Sequence, residues 1–219
     1  MLASKRLYPL IACAGIVTAA AAALAAVVGQ PDPVSYPDPL DLTISEYVAL
    51  DRSGITGFVM ASLGVASLAL VAGLRATGAP MGVLAERLMW VWGAGLIVLG
   101  VLPAVLPGTG TDLVGQTYRY VSIAVFVAIP AAGGLLVARF REDERWRPVA
   151  GTVEWLALAG GFGLLVITYV ALPGHGVLAG LAERILLGAE VALVGVLAAR
   201  LARLTWARSA APASRAALG

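Results

Sequence analysis

Residues 55–74 read ITGFVMASLGVASLALVAGL, without one charged side chain. An α-helix of about 20 residues rises about 30 Å, the thickness of bilayer hydrocarbon. A run this long with no charge reads as a membrane-spanning helix rather than as the core of a water-soluble domain. Comparable runs lie on both sides of it. They are Leu7–Val28, Leu88–Leu106, Tyr118–Val137, Val153–Leu172 and Val177–Leu197, separated by short polar breaks. The fold class predicted is therefore an all-α membrane protein, a bundle of six transmembrane helices.

Composition supports this. Of 219 residues, 60% are hydrophobic and 13% charged, too few charges to cover the surface of a soluble domain. Six spans within residues 1–208 use up nearly the whole chain, leaving 209–219, rich in Ala, Ser and Arg, as an expected disordered tail. One cysteine, Cys13, excludes an internal disulfide, a CxxC redox pair and a cysteine-rich metal site. One histidine, His175, excludes a bis-histidine haem and a histidine-rich zinc site. No metal, cofactor or nucleic acid is expected; the expected partners are membrane lipids and a second copy or another membrane protein.

The first apolar run follows Lys5 and Arg6, as the core of a signal peptide would. It is longer than such a core, so a retained spanning helix is expected. Leu10-Ile11-Ala12-Cys13 is similar to a lipoprotein box, but the apolar run continues past the cysteine. Cations set the orientation. Lys5, Arg6, Arg75, Arg87, Arg139, Arg141, Arg145, Arg147, Arg200 and Arg203 fall on one set of connections and termini. The alternate connections are poor in them. Both termini are thus expected in the cytoplasm of a cell bounded by its plasma membrane. The five tryptophans fall near predicted cytoplasmic ends, as an interfacial aromatic belt would.

Residues 30–39 carry four prolines and cannot be helical. Beyond them Leu40, Ile44, Tyr47 and Val48 share one helical face, predicting a short interfacial helix over Leu40–Asp51 in the first outer loop. Thr43 and Glu46 fit a capping box. Leu84-Ala85-Glu86-Arg87 recurs as Leu181-Ala182-Glu183-Arg184. That is consistent with a three-plus-three inverted repeat, and also with coincidence in a chain rich in Leu and Ala. Gly93, Gly95, Gly100, Gly160, Gly161 and Gly163 are expected at helix contacts, and Pro130 at a helix kink.

Ionisable groups inside a bilayer cost about 2.5–3.5 kcal/mol on insertion and are functional candidates by default. Glu190 lies just past the middle of the sixth span, with Glu183 seven residues earlier on the same face. The pair reads either as a proton- or cation-carrying stripe or as a hydrogen-bonded tie between helices. Arg119 reads as an anion grip or as an arginine snorkelling to the interface. The candidate ligand-binding set at the outer ends is Ser45, Glu46, Tyr118, Arg119, His175, Glu183 and Arg184.

Asp38-Pro39-Leu40 and Ile44-Ser45-Glu46, followed by a span rich in small residues, resemble the prokaryotic membrane proteins grouped as domain of unknown function 998. The resemblance covers about Leu7 to Leu201 and implies six spans with an Ile-Ser-Glu element after the first. Such proteins carry histidines just before the fourth span. The matching stretch here, Val114 to Arg119, has none, which places any metal or proton chemistry of those histidines in doubt for this chain. The leading expectation is a non-enzymatic protein that binds or moves a lipid or small amphiphile through a polar pocket in the outer half. The alternatives are an intramembrane hydrolase or transferase using Glu46, Asp112 and His175, and a proton-coupled transporter using Glu190.

Overall fold

The computed structural model describes residues 2–28, 54–102, 112–170 and 179–216, with side-chain surroundings for all of these except 2–6, 22–28, 112 and 207–216. The expected interfacial helix Leu40–Asp51 and its capping box lie outside the described residues. The chain is all helical there: α1 (Leu2–Val28), α2 (Ile55–Ala76), α3 (Val83–Val101), α4 (Asp112–Glu142), α5 (Arg147–Val170) and α6 (Ala179–Ala216). Helices α2 to α6 are long and apolar enough to cross a membrane, and α1 carries the shorter apolar segment Leu7–Ala21. This is a multi-pass membrane bundle. α6 runs through Ser209 to Ala216, where the sequence reading has the tail leave regular structure; alanine, the best helix former, dominates that stretch.

Each helix packs on the next in chain order, and α1 meets α6 to close the ring; α6 also touches α2 and α4. The core that results includes Leu70, Leu74, Trp92, Leu136, Phe140 and Leu197, all essentially inaccessible. Outward, α5 presents Trp155, Leu158, Phe162, Leu165 and Tyr169, spaced three or four residues apart and all exposed. In water such a face would be costly; in a bilayer it is the lipid side of the helix.

Small residues set the closest approaches. A Cβ on Gly100 would stand 2.5 Å from the carbonyl oxygen of Gly57, and one on Gly64 2.6 Å from that of Gly93. So α2 and α3 touch backbone to backbone at two levels. A Cβ on Gly160 of α5 would meet the Pro130 ring of α4 at 2.7 Å. Gly161 has open space around it, so one of the expected contact glycines makes none.

Two tight turns mark one end of the bundle. α2 closes with Gly78 at φ 65°. The Gly78 N–H donates to Arg75 O at 3.1 Å and the Ala79 N–H to Leu74 O at 3.0 Å, the Schellman pattern. The second turn is only residues 143–146, shorter than the solvated loop expected for 139–147, because α4 continues to Glu142. Asp143 organises it. Its carboxylate accepts from the Arg145 N–H at 2.8 Å and from Arg145 Nη2 at 2.7 Å. The hydrogen bond from the Arg145 side chain holds the Asp143 carboxyl below the usual carboxylate range. Arg145 also reaches Gly78 O at 3.3 Å, linking the two turns. Arg200 of α6 donates through Nε to Arg145 O at 2.8 Å and also through Nη2. Arg75 pairs with Glu86 at 3.0 Å and Arg141 with Glu154 at 2.6 Å.

Two tryptophans depart from the belt expected in the sequence. Trp146 is buried and stacks on Phe140 with centroids 4.8 Å apart. Trp92 is fully buried as well, whereas Trp90, Trp155 and Trp206 are exposed. A buried indole needs a partner for its N–H, and for Trp92 that partner lies in the candidate site.

Candidate functional site

Arg200 stands at the end of the two turns, and Glu183 lies seventeen residues before it on α6. At 1.5 Å per residue that is about 25 Å of helix, so Glu183 belongs to the opposite end of the bundle. There a partly enclosed cavity of about 60 Å³ lies between four helices. α2 supplies Met60; α3 supplies Leu96 and Leu99; α4 supplies Tyr118, Ser122, Val125 and Phe126; α6 supplies Glu183 and Leu187. The lining is mainly apolar, with three oxygen-bearing side chains: the Tyr118 phenol, the Ser122 hydroxyl and the Glu183 carboxylate. Helical spacing explains the set. Ser122, Val125 and Phe126 follow Tyr118 by four, seven and eight residues and share one face of α4 with it, as Glu183 and Leu187, four apart, do on α6.

Glu190 continues the α6 face one turn beyond Leu187. It is 1% exposed and accepts a hydrogen bond on Oε2 from the Trp92 indole N–H, at a rather long 3.3 Å. Its other oxygen, Oε1, is buried with no hydrogen-bond partner among the described residues. On α3 the order is the same: Trp92 bonds Glu190, and Leu96 and Leu99, one and two turns on, line the cavity. The Glu190–Trp92 pair thus lies on the two helix faces that carry the cavity, deeper in the bundle.

The candidate residues read from sequence divide into three groups. Tyr118 and Glu183, 65 residues apart in sequence, line one cavity. Arg119 is exposed and does not line it, and Arg184 is half-buried and does not line it either. The reason is rotation: successive residues on a helix turn by about 100°, so with Tyr118 inward Arg119 points away. Ser45, Glu46 and His175 lie outside the described residues. Sequence reading missed Ser122, whose signal was its position four residues after Tyr118 on the same face, and Trp92, whose partner is 98 residues away. Among the described residues no group of three or more His, Cys, Asp or Glu side chains is gathered as a metal site.

A family model described as "Protein of unknown function (DUF998)" matches residues 14–200. The chain belongs to that family. The match covers α2 to α5 whole, with the latter part of α1 and α6 as far as Arg200, and so includes every residue of the cavity and the Glu190–Trp92 pair. No curated protein and no solved structure matches the chain.

Proposed function

We propose that this protein binds the polar end of a small amphiphile in the cavity between α2, α3, α4 and α6, as a non-enzymatic lipid-binding, lipid-moving or accessory protein. The observation that carries this is the lining itself: apolar side chains together with three oxygen-bearing ones from two helices, in a bundle of helices long and apolar enough to cross a membrane. Convergent polar groups in an otherwise apolar concavity are the ordinary make-up of a small-molecule site. On a measure in which one water needs about 10–15 Å³, a cavity of about 60 Å³ has room for a small headgroup, with the tail left in the bilayer. We place the protein in the plasma membrane with the arginine-rich turns and both termini in the cytoplasm. The cavity then opens in the outer half.

The test is binding of decanol to purified protein in phosphatidylcholine nanodiscs, followed by native mass spectrometry. Leu99→Trp, which fills the cavity, is expected to weaken binding at least tenfold. If that variant does not fold, Met60→Phe serves in its place. Equal binding by a folded, filled variant ends the reading.

One observation favours a second reading, in which Glu190 carries a proton during transport. A buried carboxyl oxygen with no donor is rare enough to need an explanation. Proton-dependent uptake into proteoliposomes that Glu190→Gln abolishes would support it; uptake unaffected by that change would end it. The hydrolase alternative rests on Glu46 and His175, outside the described residues, and on Asp112, whose side chain is not described.

A further inference from the structure

Pro130 divides α4 into two unlike parts. A proline has no N–H, so the helix lacks the bond that residue 130 would donate to the Phe126 carbonyl, and the ring crowds that carbonyl as well. The residues that α4 gives to the cavity, Tyr118, Ser122, Val125 and Phe126, all lie before this break. From this we infer that α4 hinges at Pro130 and that its segment 113–126 is a gate, which opens and closes the cavity.

Packing differs on the two sides of the break. Among residues 113–124 only Tyr118 is buried. From Val125 on, a buried residue recurs at every turn: Val125, Ala128, Ala132, Leu136 and Phe140. The part beyond Pro130 is also clamped. A Cβ on Gly133 would stand 2.7 Å from the Leu193 side chain of α6 and 2.9 Å from that of Ala157 of α5. Phe140 stacks on Trp146, and Arg141 pairs with Glu154. Gly160 receives the Pro130 ring itself, which seats the pivot on α5. Val125 does lie against Gly95 of α3, but it is only five residues from the pivot, where a rotation moves atoms little. Local opening is cheapest where few apolar contacts must be broken, and a proline is where a spanning helix bends. Over the twelve residues from Pro130 to Tyr118, about 18 Å of helix, a bend of about 20° moves the tip by about 6 Å.

The hinge is independent of what the cavity holds. Pairs of nitroxide labels test it, on the protein in phosphatidylcholine nanodiscs with the native thiol removed by Cys13→Ala. Phe58→Cys on α2 with Tyr120→Cys on α4 samples the cavity end, and Val83→Cys on α3 with Leu135→Cys on α4 the other end; all four side chains are exposed. With Pro130 in place, the first pair is expected to give two distances about 5 Å apart, the travel of a bend of about 20° at that level, and the second pair one. Pro130→Ala restores the N–H and should leave the first pair with one distance. A single distance from the first pair with Pro130 in place, or two that a folded Pro130→Ala leaves unchanged, would overturn the hinge without touching the amphiphile reading. If Pro130→Ala does not fold, thiol modification decides with the proline kept. Val125→Cys changes a buried residue of the cavity lining, and Ala132→Cys a buried residue beyond the break. Lipid-soluble N-ethylmaleimide should modify the first at least tenfold faster than the second; equal rates would overturn the inference.

Discussion

Among the described residues Glu190 is held by one hydrogen bond where a carboxyl has room for several, and the donor is a tryptophan that cannot serve anything else from the same N–H. Substitutions should therefore be asymmetric. Glu190→Gln keeps an acceptor for the Trp92 indole and should move the melting temperature in detergent by only a few degrees. Glu190→Lys brings a fixed charge into the bundle, at about 2.5–3.5 kcal/mol or more, and should abolish accumulation of folded protein. Trp92→Phe removes the donor and leaves both carboxyl oxygens unpaired, a cost of about 1–3 kcal/mol. Combining it with Glu190→Leu should recover part of that loss, because neither change then leaves a buried polar group alone. Stability no better in the double variant than in Trp92→Phe would contradict this. The depth of Glu190 was legible from its place in an apolar run. The partner was not: Trp92 lies in another span, near enough to Trp90 and the basic residues to be read as part of the interfacial belt. Which of two tryptophans faces inward depends on helix rotation, and uniformly apolar helices carry little periodicity to reveal it.

The α2–α3 seam is where glycine has most consequence. Gly57, Gly64, Gly93 and Gly100 bring backbone against backbone, so Gly100→Leu should separate the two helices and destabilise by several kcal/mol, comparable to severe overpacking. Gly161→Ala, in open space, should be neutral or slightly stabilising through helix propensity. Measured melting temperatures of the two variants check both. Sequence marks glycine clusters but not which member meets a neighbour, because that again depends on rotation. At the 143–146 turn, the Asp143 carboxyl is held low by the Arg145 hydrogen bond. A carboxyl with a lowered folded value contributes stability above its unfolded value and loses it as pH falls through the folded one. The melting-temperature gap between the wild type and Asp143→Asn should accordingly be full near pH 7 and begin to narrow only below about pH 4. A gap that does not narrow at all between about pH 4 and the lowest pH at which the protein stays folded would show that geometry, not charge, is what Asp143 supplies.

The bundle as a whole is unequal at its two ends. One end is tied by a chain of arginines, from Arg75 through Arg145 to Arg200. The other holds the cavity. Five long apolar helices with a shorter apolar one ahead of them were legible, because an apolar run of about 20 residues is what the bilayer demands; the orientation proposed here follows from the cations. Reporter fusions after Arg147 and Ser209 should report cytoplasmic, and one near Asp38 external; an external signal after Arg147 would reverse the assignment of inner and outer halves. The pairing of Tyr118 with Glu183 could not be read in advance, since it needs the order in which helices stand around the ring. Arg119, chosen for its charge beside the fourth span, has its charge on the wrong side of α4 for this cavity.

The ring is closed by the first helix meeting the sixth, and this bears on how the protein is made. A ribosome delivers α1 to α5 before α6, so α1 to α5 enter the membrane as an open arc with an empty seat. Trp92 waits in that arc without the Glu190 acceptor, and the helix that fills the seat brings that buried carboxyl with it. Closure of the ring thus waits for α6. A nascent chain stopped after Val170 should be cleared by membrane proteases far faster than the full chain. Supplying residues 171–219 as a separate, co-expressed segment should rescue it, because the missing piece is a single helix arriving late.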